Sequence, residues 1–146
     1  MIVIGADHGG VELKEKVKAY LKNKNIECMD YGTFTTDSVD YPLIAEKVAN
    51  DVASGKYPFG LLFCGTGIGM SIAANKVNGI RAVCCADIKT LKFTRTHNNA
   101  NILCLGGRII DESTAIELVE TFLNTEFEGG RHQRRIDEIS DIEKRN

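Results

Sequence analysis

The sequence has no strong excess of charge of either sign, no long hydrophobic run and no pair of cysteines at zinc-binding spacing. Its formal charge of -2 gives no reason to expect nucleic acid or an acidic membrane surface as a partner. The longest apolar runs have the length of a strand, so none of them could span a bilayer. The chain opens on MIVIGAD, without the basic segment and cleavage site of a signal peptide, so secretion is not expected.

Neither the number nor the spacing of the cysteines suggests a disulfide framework or a zinc ribbon. Their number is odd, and no Cys-x-x-Cys pair occurs. Four of them lie in apolar, strand-like segments, where a free cysteine usually behaves as a small hydrophobic residue. We therefore expect free thiols in a reducing cytoplasm. The cysteines are Cys28, Cys64, Cys84, Cys85 and Cys104.

Five short apolar runs alternate with amphipathic segments, and four of the runs are apolar throughout. Such runs are typical of parallel strands that are covered on both faces. Their alternation with helices predicts one domain over residues 1–146, a Rossmann-like three-layer α/β/α sandwich with a parallel sheet of about five strands. The runs are MIVIGA, IECMDY, FGLLFC, IRAVCC and NILCLGG.

Helical spacing of apolar residues predicts the segments between the strands. One helix follows the first strand, and a second begins near Pro42 and ends at Gly55. Another follows the fifth strand, with Ser113 as its expected N-cap. After the break at Gly129 and Gly130 we expect a short helix that packs on the domain or on another subunit. The apolar stripe of that last helix consists of Ile136, Ile139 and Ile142.

The loop after the third strand is the strongest candidate for a binding site, because ligands of open parallel sheets bind beyond the carboxyl ends of the strands. It reads CGTGIGMS and has glycines at 65, 67 and 69. Backbone amides in such a turn can converge on an anion. The pattern is neither a Walker A motif nor a Gly-x-Gly-x-x-Gly fingerprint, so no nucleotide cofactor is expected. The alternative is a purely structural turn between a strand and a helix.

Cys64 is the first residue of this loop, at the end of the apolar run of the third strand. A thiol that faces backbone amides favours the thiolate form, which can act as a nucleophile or as a base. The alternative is a buried strand cysteine without a chemical role. Cys84, Cys85 and Cys104 are expected to be structural.

Two further polar segments adjoin strands. Asp7 and His8 follow the first strand and could bind sugar hydroxyls or phosphate, or transfer protons; Asp7 could instead cap the first helix. His97 and Asn98 precede the fifth strand in a polar, loop-like segment, where amides suit hydroxyl recognition. Three scattered histidines with few neighbouring carboxylates do not predict a metal site.

The segment GGRHQRR is unusual because it places arginines at the start of a helix, where acidic residues are favoured. Arg131 and Arg135 are one turn apart, a spacing suited to gripping a phosphate, and Arg108 is a third candidate cation. The alternative is a solvated basic face. Taken together, a base, an anion-stabilising loop and a phosphate clamp suit proton transfer next to the carbonyl of a phosphorylated sugar.

Six motifs, in order and spacing, resemble the type B ribose-5-phosphate isomerases, whose family also includes galactose- and allose-6-phosphate isomerases. The resemblance extends over essentially the whole chain. It implies an aldose–ketose isomerase without a metal, which works through an enediolate in the pentose phosphate pathway. It also implies a homodimer, or a tetramer, that shares its active sites between subunits. The motifs are GADHGG, DYP, CGTGIGMSIAANK, GIRA, HNNAN and EGGRHQRR.

The resemblance also implies a role for each candidate residue. Cys64 is the base that moves a proton between C2 and C1, and His97 opens the furanose ring by proton transfer. The developing oxyanion is held by Gly65, Thr66, Gly67 and Gly69. The sugar is contacted by Asp7, His8, Tyr41 and Asn98. The phosphate is bound by Arg108, Arg131 and Arg135, some of them from across a subunit interface.

The choice of substrate leaves alternatives. One branch of the family replaces the cysteine by a glutamate six positions later; this chain has Cys64 and an apolar Met70, so it resembles the cysteine branch. All motifs are present in one chain, which favours a pentose phosphate and a homo-oligomer. The alternatives are an isomerase of a six-carbon sugar phosphate, a sugar-phosphate-binding module without catalysis, and a thiol-redox protein.

Overall fold

Five parallel strands form one sheet. The computed structural model describes all of residues 1–146. Every neighbouring pair of strands is parallel, which confirms the predicted α/β sandwich and its five strands. The strands are β1 (Ile2–Ala6), β2 (Cys28–Asp30), β3 (Gly60–Cys64), β4 (Ala82–Cys84) and β5 (Ile102–Gly106). Their order in the sheet is β2-β1-β3-β5-β4.

Six helices surround the sheet, and none of them combines the length and apolar character needed to cross a membrane. The helices are α1 (Val11–Asn23), α2 (Tyr41–Ala53), α3 (Ile68–Ala74), α4 (Ile88–Thr96), α5 (Glu112–Asn124) and α6 (Arg131–Arg145).

The helix boundaries confirm some predictions and correct others. Pro42 lies in the first turn of α2, as expected. The cap of α5 is Asp111, whose carboxylate accepts a hydrogen bond from the amide of Thr114; the prediction of Ser113 was wrong by two residues. Helix α4 was not predicted, because Leu91 is its only buried apolar residue. Its other apolar residues, Ile88 and Phe93, are more exposed, and the rest of its sequence is polar or basic.

The sheet separates two layers of the hydrophobic core. Successive residues of β3 point to opposite faces, so Leu61 and Phe63 join the layer under α1, α4 and α5. Leu62 and Cys64 join the layer under α2 and α3. The central strands β1, β3 and β5 are buried along their whole length. Cys64 is therefore held at the end of a rigid strand.

The strand order creates a crevice between the carboxyl ends of β1 and β3. From β1 the chain passes through α1 to β2 on one side, whereas from β3 it passes through α3 to the opposite half of the sheet. Loops that leave two neighbouring strands in opposite directions leave room for a ligand between them.

Helix α6 lies at the other edge of the sheet, near the amino ends of the strands. The amide of Gly79, just before β4, donates to the carboxylate of Glu143 over 2.9 and 3.1 Å. At 15 residues α6 is longer than the expected short helix. Of its isoleucines Ile136 is buried, whereas Ile139 and Ile142 are 43% and 50% exposed. Most of the predicted apolar stripe therefore does not pack on its own chain.

Candidate active site

Three glycine-containing loops are packed against each other at the carboxyl edge of the sheet. The amide of Gly107 donates to the carbonyl of Cys64 over 2.8 Å, and the amide of Arg108 donates to the carbonyl of Gly65 over 3.0 Å. A Cβ atom on Gly107 would lie 2.7 Å from the carbonyl oxygen of Gly9, and one on Gly106 would lie 2.7 Å from the carbonyl of Thr66. Side chains at these glycines would force the loops apart.

The thiol of Cys64 accepts a hydrogen bond from the amide of Gly67 over 3.1 Å. Gly67 adopts a φ of 82°, a left-handed conformation that favours glycine and turns its amide back toward the sulfur. Such a hydrogen bond stabilises negative charge on sulfur. Cys64 is 5% exposed, whereas Thr66 in the same loop is exposed to solvent.

Asp7 and His8 are held on the opposite side of the crevice. The buried carboxylate of Asp7 accepts from the amide of Gly9 over 2.8 Å. Asp7 does not cap α1, because the N-cap is Gly10 and has no side-chain bond. His8 accepts at Nδ1 from the amide of Val39 over 3.2 Å, which leaves Nε2 available for a ligand.

A cavity of about 560 Å³ adjoins these residues. It is lined by Asp7, His8 and residues 38–43, and its size is typical of small-molecule sites. Tyr41 joins it to the glycine loop, because a Cβ on Gly69 would lie 2.7 Å from the Tyr41 ring. Arg108 closes the other side of that loop: its Nη1 lies 3.0 Å from where a Cβ on Gly65 would be.

His97 and Asn98 lie at the opposite side of the sheet, near the amino ends of the strands. Helix α4 runs from the carboxyl end of β4 back to the amino end of β5, and His97 is its C-cap residue. Strand β3 alone, at five residues, is about 17 Å long. One chain therefore does not bring His97 to the thiol of Cys64.

The arginines of α6 share this edge with His97. The rings of His97 and His132 are stacked, with centroids 4.1 Å apart and planes 15° apart, so the first turn of α6 lies beside His97. Arg131 and Arg135 on this helix are exposed.

The predicted site residues thus form two separate groups. The amino-edge group consists of His97, Asn98, Arg131 and Arg135. The carboxyl-edge group consists of Asp7, His8, Tyr41, Cys64, Gly65, Thr66, Gly67, Gly69 and Arg108.

A sequence profile described as Ribose/Galactose Isomerase matches residues 2–139. The chain belongs to the ribose/galactose isomerase family. It is 43% identical over 144 residues to ribose-5-phosphate isomerase B of Escherichia coli (strain K12), which covers 99% of this chain and 97% of that protein.

Solved structures of the family have the same fold. Ribose-5-phosphate isomerase B of Clostridium thermocellum superposes with a TM-score of 0.97 at 48% identity, covering 99% of this chain and 97% of that one. The enzyme of Mycoplasma genitalium, solved with bound ribulose-5-phosphate, superposes with a TM-score of 0.94 at 43% identity and the same coverage.

Of the remaining thiols of this isomerase-family chain, those of Cys85 and Cys104 are buried, whereas Cys84 is exposed. Burial raises the pKa of Cys85, and it raises that of the fully buried Cys104 well above its usual range. Burial also raises the pKa of Cys84, whose sulfur lies beside Gly67. No group of three or more His, Cys, Asp or Glu residues is arranged to hold a metal ion.

His132 is the residue of this region to which sequence reasoning assigned no role. Its signal is present in the motif GGRHQRR, between the two candidate phosphate-binding arginines. Its contact with His97 could not be predicted, because the two residues are far apart in sequence and meet only through the path of α6. Burial, together with the charges of His97 and Arg131, lowers the pKa of His132.

Proposed function

We propose that this member of the family interconverts ribose 5-phosphate and ribulose 5-phosphate, a step of the pentose phosphate pathway. The observation that carries the proposal is the Cys64 thiol, which accepts the Gly67 amide at the mouth of a loop rich in backbone amides. Relatives at 43–48% identity that are named ribose-5-phosphate isomerase B, one of them solved with the ketose product, support the choice of substrate.

The proton transfer begins on the open-chain aldose. The Cys64 thiolate removes the proton from C2, and the electron pair of that C–H bond forms the C1–C2 double bond while the C1 carbonyl oxygen takes the negative charge. The thiol then returns a proton to C1, and the hydroxyl proton of O2 passes to O1. The oxygen at C2 thereby becomes the carbonyl of the ketose and the oxygen at C1 becomes a hydroxyl. Amides of Gly65, Thr66, Gly67 and Gly69 stabilise the oxyanion of the enediolate, the kind of interaction that usually contributes most to catalysis.

Substrate binding requires both groups of residues. Asp7, His8 and Tyr41 adjoin the cavity that would hold the sugar, and Arg108 supplies a cation beside the glycine loop. His97 would open the ring, Asn98 would bind a hydroxyl, and the arginines of α6 would bind the phosphate. Since these last residues lie about one strand length from Cys64, a partner subunit would have to supply them.

A homodimer satisfies this requirement with one symmetry operation. A two-fold axis that brings the amino-edge group of one subunit over the carboxyl-edge group of its partner also makes the reverse contact, so two complete sites form. Exposed apolar side chains near both groups support such an interface. They are Ile68, Ile72, Ile109, Ile139 and Ile142. The five free thiols support a reducing compartment, the cytoplasm.

Proton NMR of ribose 5-phosphate with the protein, in deuterated water containing a chelator, tests the proposal directly. We expect ribulose 5-phosphate to form with solvent deuterium at C1, because the thiol exchanges its proton with solvent. Allose 6-phosphate is measured in parallel. Turnover of only the six-carbon substrate would show that the assigned sugar is wrong, and turnover of neither by folded protein would contradict isomerase activity.

A further inference from the structure

The imidazole of His97 is in contact with two other rings. His132 stacks on it at 4.1 Å between centroids, nearly parallel, and Phe93 lies 4.9 Å away at 34°. His132 is only 7% exposed, although it belongs to the first turn of a helix whose neighbouring side chains are exposed. The helix therefore directs one imidazole inward, onto the ring of His97.

The backbone around His97 is fixed on both sides. The amide of His97 donates to the carbonyl of Phe93 over 2.9 Å. The Nε atom of Arg81 donates to the carbonyls of Asn98 and Asn99 over 3.0 and 3.1 Å. With the main chain held in this way, the orientation of the His97 ring depends on its side-chain torsions and on the rings that contact it.

The start of α6 is fixed against the same segment. The amide of Glu128 donates to the carbonyl of Thr96, the residue before His97, over 3.1 Å. Arg131 directly precedes His132 on the helix. The stacked pair therefore connects His97, which is assigned to ring opening, with α6, whose arginines are assigned to phosphate binding.

We propose that His132 is a positioning residue for His97, holding its imidazole in the plane from which it transfers a proton to the sugar ring. This inference rests on the proposed function, because it assigns His97 to ring opening.

The electrostatic setting suits this role. Burial lowers the pKa of His132, and the charges of His97, Arg131 and Arg135 act in the same direction, while Glu128 opposes them. A ring whose pKa is lowered can lie against His97 with less charge repulsion than an imidazolium would meet.

Two reactions of the same protein separate positioning of His97 from other roles of His132. Ribose 5-phosphate is largely cyclic and must be opened before C2 can be deprotonated. Ribulose 5-phosphate has no free hydroxyl that can close a five- or six-membered ring on its carbonyl, so exchange of its C1 proton needs the base and the phosphate site but no ring opening.

The experiment compares His132→Ala, His132→Phe and the matched control Gln133→Ala, an exposed neighbour on α6. Conversion of ribose 5-phosphate and deuterium exchange at C1 of ribulose 5-phosphate are measured on each protein. For His132→Ala we expect conversion to fall by about ten- to hundredfold, while exchange stays within about twofold of wild type. His132→Phe, which keeps a stacking ring, should recover most of the conversion rate, and Gln133→Ala should match wild type.

Three results would overturn the inference. Equal losses of conversion and exchange in His132→Ala would mean that His132 serves phosphate binding or the fold of α6. No loss of conversion would mean that the His97 ring is oriented without it. A phenylalanine variant as slow as the alanine variant would exclude stacking as the means. Failure of the proposed function would differ from all of these, because wild type itself would then catalyse neither reaction.

Discussion

In one chain, Cys64 and His97 lie at opposite ends of the strands. Cys64 is the last residue of β3, at the carboxyl ends, whereas His97 caps the helix that returns to the amino end of β5. If the two act on the same sugar, they belong to different subunits. This relationship turns a general expectation of an oligomer into a specific arrangement of two half-sites.

Two inactive variants should therefore restore activity when their subunits mix. Cys64→Ala loses the base and His97→Asn loses the ring-opening acid, so each homodimer should be inactive on ribose 5-phosphate while keeping much of its substrate binding. In a mixed dimer one site combines both defects and the other is intact. Random mixing makes half of the dimers mixed, so refolding the variants together should give about a quarter of wild-type activity.

Native mass spectrometry of the refolded mixture supplies the control by showing that mixed dimers have formed. Mixed dimers without activity would contradict a site built from Cys64 and the partner's amino-edge group. Cys28→Ala, a partly buried cysteine at the sheet edge far from the glycine loop, is the matched cysteine control and should keep wild-type turnover.

The Gly67→Ala substitution should damage both folding and catalysis. Gly67 and Gly55 have the same φ of 82°, but a Cβ on Gly55 meets nothing within 4 Å, whereas one on Gly67 would lie 2.9 Å from the sulfur of Cys84. Gly55→Ala should cost only the conformational strain, about 1–2 kcal/mol. Gly67→Ala should cost about 1–3 kcal/mol more, and displacement of its amide should lower kcat by about a hundredfold.

Urea unfolding and steady-state kinetics of the two variants measure this difference. Equal stability losses would show that the loop has room for a side chain at Gly67. Normal turnover in Gly67→Ala would show that the amide of Gly67 does not contribute to catalysis.

The Arg135→Ala substitution should act mainly on binding. A charge-assisted hydrogen bond to phosphate contributes about 1.5–3 kcal/mol, so KM should rise by about ten- to hundredfold with a smaller change in kcat. Arg145, at the other end of α6, is the matched control and its alanine variant should bind normally. An unchanged KM in Arg135→Ala would exclude this arginine from the phosphate site.

The Lys14→Met substitution should destabilise the protein although it adds no polar group to the core. Lys14 is fully buried, and its ammonium donates to both carboxylate oxygens of Asp30 over 2.7–2.8 Å and to the carbonyl of Thr33 over 2.8 Å. Removing one partner of a buried ion pair typically costs about 3–5 kcal/mol. We expect about 3 kcal/mol by urea unfolding, because Lys18 still pairs with Asp30. The exposed Lys16→Met is the control, and a loss as small as in that variant would contradict the importance of the pair.

The Asp30 carboxylate should make the stability of the protein depend on pH in the acid range. Burial alone would raise the pKa of Asp30, but hydrogen bonds from Lys14, Lys18 and the amide of Gly32 outweigh it and lower the pKa below its ordinary value. The stabilisation is therefore present above the unfolded-state pKa, near 4, and is lost as pH falls through the lower pKa of the folded state. Wild type should be more stable than Asp30→Asn at pH 6, and the difference should shrink below pH 4. A constant difference across that range would contradict this assignment.

The local elements follow from the sequence because their signals are local. The apolar runs predict all five strands. For β1, β3 and β5 the physical reason is burial on both faces, which requires apolar side chains along the whole strand. The position of Cys64 beside a glycine turn also follows, because the turn adjoins the strand in the chain. Helix α4 was missed because it buries a single apolar side chain, and the cap of α5 was misplaced because Ser113 and Asp111 are both good capping residues.

Only the tertiary structure decided how these elements meet. Strand order, the division of the site residues between two edges and the contact of His97 with His132 depend on residues distant in the chain. The spacing of apolar residues indicates which side of a helix or strand is buried. It does not indicate which other element covers that side. The chain by itself therefore determined a parallel α/β sandwich with a thiol at a glycine turn. Packing across the sheet and around its edges determined that this thiol and the histidine expected to act with it are held one strand length apart.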